Sequence, residues 1–386
     1  MNNMISCIKN LPFIKALRKK TYWRRLINRG RKLSIKAVPP KMDEPIDFVV
    51  TWVDGSDPAW RAEKEAYERS IGMQADFSDK GEERYRDWDF FQYWFRAVEK
   101  YAPWVRTVYL VTCGQVPEWL DLNAPKLKLV THSEIMPEDA LPTFNSCAIE
   151  FHLHKIKGLS EYFVYFNDDI VLTRPVKPED FFVDGLPNYT AVAQPLRNGN
   201  NSTFDHMLFT VNGAINNRFL GDFNRRVECH PEKWFAACYE KQLHYNIYAA
   251  KMGYLPGMYF SHLAVPFRKS TFERVWKEFP ELLKKTTGHR FRSAQDGMHQ
   301  LISLWDIMEG NFHPVPMGHY GHSFHKLVNQ EQEIIDSIVN ETYLSICIND
   351  SENISRSQYL TLKASINNAF KKIHPEKSSF ESKRVI

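Results

Sequence analysis

The sequence predicts an α/β protein whose first half is a mostly parallel sheet and whose second half is largely helical. Three observations carry this. Between residues 46 and 172, short apolar runs rich in β-formers alternate with segments of helical spacing, the pattern of βαβ units. Two of those runs end on carboxylates, Asp54 with Asp57 and the adjacent Asp168 and Asp169, at the strand ends where an α/β sheet opens its ligand crevice. Beyond residue 185 strand signals thin out, and residues 205–255 and 272–310 take helical spacing.

The elements follow in order. Residues 1–37 hold eleven Lys and Arg and no acid, so the chain's net charge of +4 conceals a basic leader before a mildly acidic body. Ile5, Ile8, Leu11, Phe13, Ile14, Leu17, Tyr22, Trp23, Leu26 and Ile27 interleave with those cations. The pattern suits a helix lying on an anionic membrane and equally a solvated, disordered arm; a nucleic-acid contact ranks behind both. No apolar run approaches the roughly 18–20 residues of a membrane-spanning helix. Pro39-Pro40 closes the leader, which is taken as residues 1–42.

Ile46 to Val53 reads as a buried strand ending in the turn Asp54-Gly55-Ser56-Asp57-Pro58. Residues 59–71 read as an exposed helix. Trp88, Phe91, Phe95 and Val98 recur at helical spacing until Pro103. Residues 107–112, 127–130 and 163–166 supply three further strands. Before the last of these, the segment from Asn145 reads as a helix with Glu150 and His154 on one face, in a supporting role, and Ile149, Leu153 and Ile156 as its apolar stripe. The stretch with His313, His319, His322 and His325 reads as a loop, and Tyr343 to Asp350 as a short strand ending in Asn349-Asp350. The expected organisation is a leader (1–42), an α/β region (43–185), a helical region completing the site (186–350) and a C-terminal helix with a frayed polar tail (351–386).

A chain of 386 residues can bury a large core, and 43% hydrophobic with 25% charged residues is the balance of a soluble globular protein. Cys7, Cys113, Cys147, Cys229, Cys238 and Cys347 are scattered and form no Cys-x-x-Cys pair, which points to a reducing, cytoplasmic compartment and away from a structural zinc site.

The chemistry concentrates in a few places. Asp168 and Asp169 at a strand end make a site for a hard divalent cation and the phosphates it carries; an Asp-rich turn is the plainer alternative. Asp54, Gly55 and Asp57 occupy the matching position after the first strand, and Gly55 permits close backbone approach. In the second half, His262 with Arg268 and Arg292 offers what phosphoryl transfer needs, a base and planar forks for phosphate oxygens. No P-loop, no Gly-x-Gly-x-x-Gly fingerprint and no Gly-x-Ser-x-Gly elbow is present, which disfavours P-loop kinases, the usual nicotinamide enzymes and serine hydrolases.

These blocks together resemble the Stealth family of sugar-1-phosphate transferases: Ile46 to Pro58 the first block, Arg86 to Arg174 the long second, residues 261–308 the third and 343–350 the fourth. Two places depart from the family pattern. His262 runs into Leu263-Ala264-Val265-Pro266, where a Met-Pro step is common, and Asn349-Asp350 is followed by Ser351 in place of Asn. The resemblance implies a Rossmann-like, glycosyltransferase-A-like sheet that binds a UDP-sugar. It implies transfer of a hexose- or N-acetylhexosamine-1-phosphate to a hydroxyl of a capsular polysaccharide or oligosaccharide, with UMP released. Mg²⁺ or Mn²⁺ would sit on Asp168 and Asp169 with Asp350. His262 would be the general base, with Asp169 its rival, and Arg292 and Arg268 would hold phosphate. Asp54, Gly55, Asp57, Asn145 and Asn349 would contact substrate. The implied setting is the inner face of a bacterial membrane, with no nucleic acid involved. A metal-dependent glycosyltransferase releasing UDP and a non-catalytic glycan-assembly protein are the competing readings.

Overall fold

The computed structural model describes residues 12–35, 42–70, 86–197, 202–350 and 354–382. Its central sheet is built from β1 (Ile46–Thr51), β2 (Val108–Thr112), β3 (Leu127–Thr131), β4 (Tyr162–Asn167) and, from the second half, β8 (Val265–Arg268), in the order β3-β2-β1-β4-β8. The first four strands are parallel and β8 closes the edge antiparallel to β4. Parallel strands covered on both faces read as continuous apolar runs. Accordingly Phe48, Val50, Leu110, Val164 and Phe166 enter one core, and Val49, Tyr109, Val111, Phe163 and Tyr165 enter another.

The helix Phe91–Tyr101 lies in the first core, where Trp94 and Phe95 are fully buried. Phe166 packs at centroid distances of 4.9 Å from Phe48 and 5.5 Å from Trp94. Burial of each such side chain contributes roughly 1.5–3 kcal/mol. The helices Leu327–Val339 and Arg356–Ile373 close this face through Ile334, Ile338, Leu362, Ile366 and Phe370. The second core collects the helices of residues 203–309, among them Thr203–Arg218, Lys269–Glu278 and Gln300–Glu309.

A smaller sheet, β10-β11-β5, joins β5 (Ile170–Leu172), β10 (Gly321–Phe324) and β11 (Ser345–Ile348). A third joins β6 (Phe182–Val183), β7 (Leu186–Tyr189) and β9 (His313–Pro314). The histidine-rich stretch expected as a loop therefore supplies two strands. Gly321 makes one possible: at φ +127 its backbone runs so close to Ser345 that a Cβ would meet the Ser345 carbonyl oxygen at 1.8 Å, so only glycine fits.

Four other expectations change. The region after residue 185, read as helical with few strand signals, also supplies β8, which completes the sheet begun by β1–β4. The helix from Asn145 lasts only from Ser146 to Glu150, followed by a 3₁₀ turn at Leu153–Lys155. Cys147 to His154 are all buried, so packing from every side, not a single apolar stripe, sets this backbone. The polar tail is anchored: Phe380 is buried, and the Arg96 guanidinium is met by both Glu381 carboxylate oxygens at 2.7 Å, because a buried cation requires a counter-charge.

Finally, the described part of the leader, Pro12–Ser34, is a helix, while residues 1–11 and 36–41 lie outside the described residues. Trp23 and Leu26 are buried in the second core, and Gly30 lies so close to Pro231 that a Cβ would sit 2.1 Å from its carbonyl oxygen.

Candidate active site

β1 and β4 are neighbours whose onward connections run to opposite sides, β1 toward β2 and β4 toward β8. Ligands of open α/β sheets bind beyond the carboxyl ends of strands at such a switch point. Thr51 pairs with Asn167 at this end, so the turns Asp54–Asp57 and Asp168–Asp169 leave the sheet side by side.

The first turn is internally braced. Gln115, just past β2, accepts from Asp54 N at 2.9 Å and donates from Nε2 to Asp54 O and Asp57 Oδ2, both at 3.0 Å. Asp57 Oδ1 accepts from Ala59 N at 2.8 Å, capping the helix Pro58–Ser70. The Gln115 amide, then the Ala59 N–H, hold the Asp57 carboxyl below the usual range. The Gly55 carbonyl accepts from Arg61 Nε at 2.5 Å.

The acidic turn is shaped by β5, which leaves the central sheet and pairs antiparallel with β11. Ile348 N donates to Asp169 O at 3.0 Å, and Cys347 Sγ lies 3.3 Å from Asp169 Oδ2. From the loop before β8, His262 Nε2 approaches the same oxygen at 3.4 Å and lies 3.3 Å from Asn167 Nδ2. Ligand-capable atoms of Asp169, His262 and Cys347 all fall within 4.8 Å of one another.

Asp169 Oδ1 is buried and has no protein donor. Burial, then the Asp169 carboxylate, pushes the Asp168 carboxyl up to about 8. Burial opposes a charged His262, but the neighbouring Asp169 overrides it and raises the imidazole. Burial, then Asp169, drives the Cys347 thiol up. The orphaned Asp169 oxygen, with His262 and Cys347 close by, forms a donor set that a divalent cation would satisfy; Asp168, like Asp350, is not among the clustered ligand atoms.

A buried network supports this arrangement. The Thr51 and Tyr165 hydroxyls lie 3.0 Å apart, Tyr165 donates to Glu150 Oε1 at 3.2 Å, and His299 Nδ1 faces Glu150 Oε2 at 2.9 Å. Burial alone would raise Glu150, but His299, with help from Arg292, holds it low. Arg292 donates from Nη2 to Ser146 Oγ at 2.5 Å.

The structure places the other expected residues as follows. Asn349 continues from β11, its Nδ2 2.9 Å from His325 Nδ1. Asn145 is fully buried: its Oδ1 caps the Ser146–Glu150 helix through Cys147 N, and its Nδ2 donates to Asp296 Oδ2 at 2.8 Å. It thus shapes the fold and does not face substrate. Arg268 pairs with Tyr162 at the amino end of β4, the far end from Asp169, and donates to buried Asp306 at 2.6 Å. The phosphate-binding role expected of it is excluded by that position. Asp350 receives Arg86 Nε and Nη2, both at 2.8 Å, and Trp88 Nε1 at 3.2 Å. Its carboxylate is directed to that pair and is not among the clustered ligand atoms. His154 is packed on Phe272 at 5.5 Å in the core. Gln115, Tyr165, His299 and Cys347 had no sequence signal beyond position near a strand end or, for His299, membership of a set of fourteen histidines.

Three conserved regions of the Stealth proteins match the chain: region 1 over residues 44–72, region 2 over 84–189 and region 3 over 261–298. The capsular polysaccharide phosphotransferase WcwK of Streptococcus pneumoniae is 39% identical over 348 residues, covering 87% of this chain and 98% of its own length. The receptor polysaccharide phosphotransferase WefC of Streptococcus gordonii is 38% identical over 88% of this chain and 100% of its own. The exopolysaccharide phosphotransferase cps2G of Lactiplantibacillus plantarum is 39% identical over 87% and 96%. A solved structure of the bifunctional glycosyltransferase WbbM aligns over 87% of this chain and 53% of its own, at TM-score 0.33 and 9% identity, too distant to inform the site. On the matched regions and the near-complete overlap with these relatives, the chain belongs to the Stealth family of polysaccharide phosphotransferases.

Proposed function

We propose that the chain transfers a hexose- or N-acetylhexosamine-1-phosphate from a UDP-sugar to a hydroxyl of a growing capsular or cell-surface polysaccharide. The observation that carries this is the approach of His262 to Asp169 beside an unpartnered Asp169 oxygen at the switch point of the sheet. In the reaction the acceptor oxygen bonds to the β-phosphorus, the pyrophosphate P–O bond breaks, and UMP leaves with the electron pair. His262 takes the acceptor's proton at the ring nitrogen not turned to Asp169, while Asp169, facing Nε2, orients the imidazole and stabilises its charged form. Arg292 supplies a fixed positive field near the reacting phosphates. A divalent cation, Mg²⁺ or Mn²⁺, held by Asp168 and Asp169, would neutralise the pyrophosphate. The turn Asp54–Asp57 would line the nucleotide pocket, with Asn349 completing the site from β11.

Product analysis tests this. A panel of UDP-sugars with Mg²⁺ or Mn²⁺ and short capsular oligosaccharides should give acceptor-dependent UMP. Release of UDP would make the chain a glycosyltransferase, and absence of both donor turnover and donor binding would make it non-catalytic.

The leader helix supports a second element, docking on an anionic membrane. With Trp23, Leu26 and Gly30 against the body, Lys20, Arg24, Arg25, Arg29, Arg31 and Lys32 face outward. Exposed Tyr22, Leu33 and Ile35 accompany them. Among the described residues none of these six cations is ion-paired. Each cation near an anionic surface contributes about 1 kcal/mol, and no described helix is long and apolar enough to cross a membrane. Peripheral attachment at the inner membrane face fits this surface.

A further inference from the structure

The small sheet delivers a second histidine to the site. β10 and β11 run parallel with Phe324 opposite Ile348, and Asn349 N donates to Phe324 O at 3.1 Å. The pairing therefore continues one residue beyond each strand and sets His325 beside Asn349, whose Nδ2 lies 2.9 Å from His325 Nδ1. Side chains alternate along a strand, so His325 and Asn349 share the face that Cys347 presents. The Cys347 thiol on that face lies 3.3 Å from Asp169 Oδ2, and the intervening Ile348 N donates to Asp169 O at 3.0 Å. The stretch read from the sequence as a histidine-rich loop thus ends beside the acidic turn.

Three features define what His325 can do. An amide N–H only donates, so the Asn349 contact makes Nδ1 an acceptor and leaves the proton of the neutral ring on Nε2. The residue is exposed, and Nε2 meets no acceptor among the described residues. Partial burial, then the neighbouring His262, lowers the imidazole below the ordinary histidine value, which keeps it neutral. An N–H donor of fixed tautomer is therefore held open next to Asp169, and such a donor suits an anionic oxygen. The pyrophosphate lacks one: Arg268, expected there, is bound to Asp306 at the far end of β4, which leaves Arg292 as the only guanidinium assigned to it.

We infer that His325 is a further substrate-contacting residue, whose Nε2–H donates to a non-bridging oxygen of the donor's pyrophosphate, and that Asn349 is the positioning residue that fixes its tautomer. The inference rests on the proposed transfer only for the identity of the phosphates. The contact itself is a binding property, measurable without turnover.

The test titrates UDP and UMP, each with Mg²⁺, into the full-length protein by calorimetry. His325→Ala should weaken UDP binding about tenfold or more with its melting temperature unchanged, and His325→Gln, which keeps an N–H donor, should recover most of the loss. Weakening of UDP alone assigns the contact to the β-phosphate, and equal weakening of UMP assigns it to the α-phosphate. Asn349→Leu should weaken UDP binding less than His325→Ala does, and the double variant should bind no worse than His325→Ala, since both changes act on one hydrogen bond. Ring ¹⁵N spectra should show His325 as the Nε2–H tautomer in wild type and as a mixture in Asn349→Leu. UDP and UMP affinities equal to wild type in His325→Ala, or in Asn349→Leu if His325→Ala does not fold, overturn the inference, as does a wild type that binds neither nucleotide. UMP release with unchanged His325→Ala affinity would overturn this contact alone; lost affinity without UMP release would overturn the reaction and leave the contact standing.

Discussion

His262 Nε2 and Asp169 Oδ2 lie 3.4 Å apart at the carboxyl end of the sheet, one delivered by the loop before β8 and the other by the turn after β4. The antiparallel pairing of those two strands fixes the approach. It joins a titratable ring to the carboxylate that a phosphate-bound cation would share.

This pair sets the first prediction. His262→Asn should lower kcat by about 10²–10⁴ with UDP-sugar affinity nearly unchanged, measured by UMP release alongside calorimetric donor binding. Asp169→Asn should cost more, since it also removes the carboxylate proposed to hold the cation. A loss under tenfold for His262→Asn would reassign the base.

Cys347 yields a second. A thiol, an imidazole and a carboxylate within 4.8 Å form a set preferred by thiophilic ions over Mg²⁺. Cd²⁺ or Zn²⁺ should therefore inhibit UMP release assayed with Mg²⁺ or Mn²⁺, and Cys347→Ser should raise the inhibitory Cd²⁺ concentration at least tenfold. Equal sensitivity of both proteins would show that the thiol does not reach the ion.

A third concerns Asp350, expected as a metal ligand and found on Arg86. If the ion pair is its main task, Arg86→Gln should destabilise the fold by about 1–3 kcal/mol, and Asp350→Asn added to it should restore part of that loss in urea unfolding. The activating metal concentration should be the same in Asp350→Asn as in wild type. A rise of tenfold or more would return Asp350 to the metal site.

Acid stability gives a fourth. His152, His154 and His374 are buried, and burial depresses them to about 4, 3 and 4. Their folded values lie below the roughly 6.5 of an unfolded histidine, so the unfolded chain binds more protons as pH falls. Their contribution is complete above pH ~6.5 and is lost progressively down to ~4 and, for His154, ~3. Melting temperature should fall across that window, and His374→Gln should flatten the slope by about one proton. A slope identical to wild type would mean His374 titrates freely in the fold.

The leader helix gives the last. Co-sedimentation with phosphatidylglycerol vesicles should fall at least tenfold for Arg24→Gln/Arg25→Gln/Arg29→Gln, and for wild type in about 0.5 M salt, where charge screening reaches only a few Å. Binding unaffected by either change would assign the basic face to something other than lipid.

The parts legible in the sequence were those carried by local pattern. Continuous apolar runs announced the parallel strands, and the carboxylates at their ends marked the crevice before any pairing was visible. The rest depended on contacts no window can see. Asn145 looked available until its amide was found capping a helix and holding Asp296. Arg268 looked like a phosphate fork until the antiparallel register of β8 put it beside Tyr162, at the wrong end of β4. Glu150 and His154, four residues apart, were expected on one helical face, but the helix ends at Glu150, which turns to His299 while His154 packs in the core.

The small sheet through β5 and β11 carries a consequence for how the protein is made. A ribosome emits the segment bearing Asp169 well before it emits β8, and β11 emerges later still. Until then β4 lacks its edge partner and the acidic turn lacks both His262 and the Ile348 amide. A nascent chain would thus hold the Asp168–Asp169 turn in an unfinished scaffold and complete the candidate site only near the end of synthesis. Chains cut before residue 345 lack β11 and the helix Arg356–Ile373 that closes the first core, and should neither fold stably nor assemble the site.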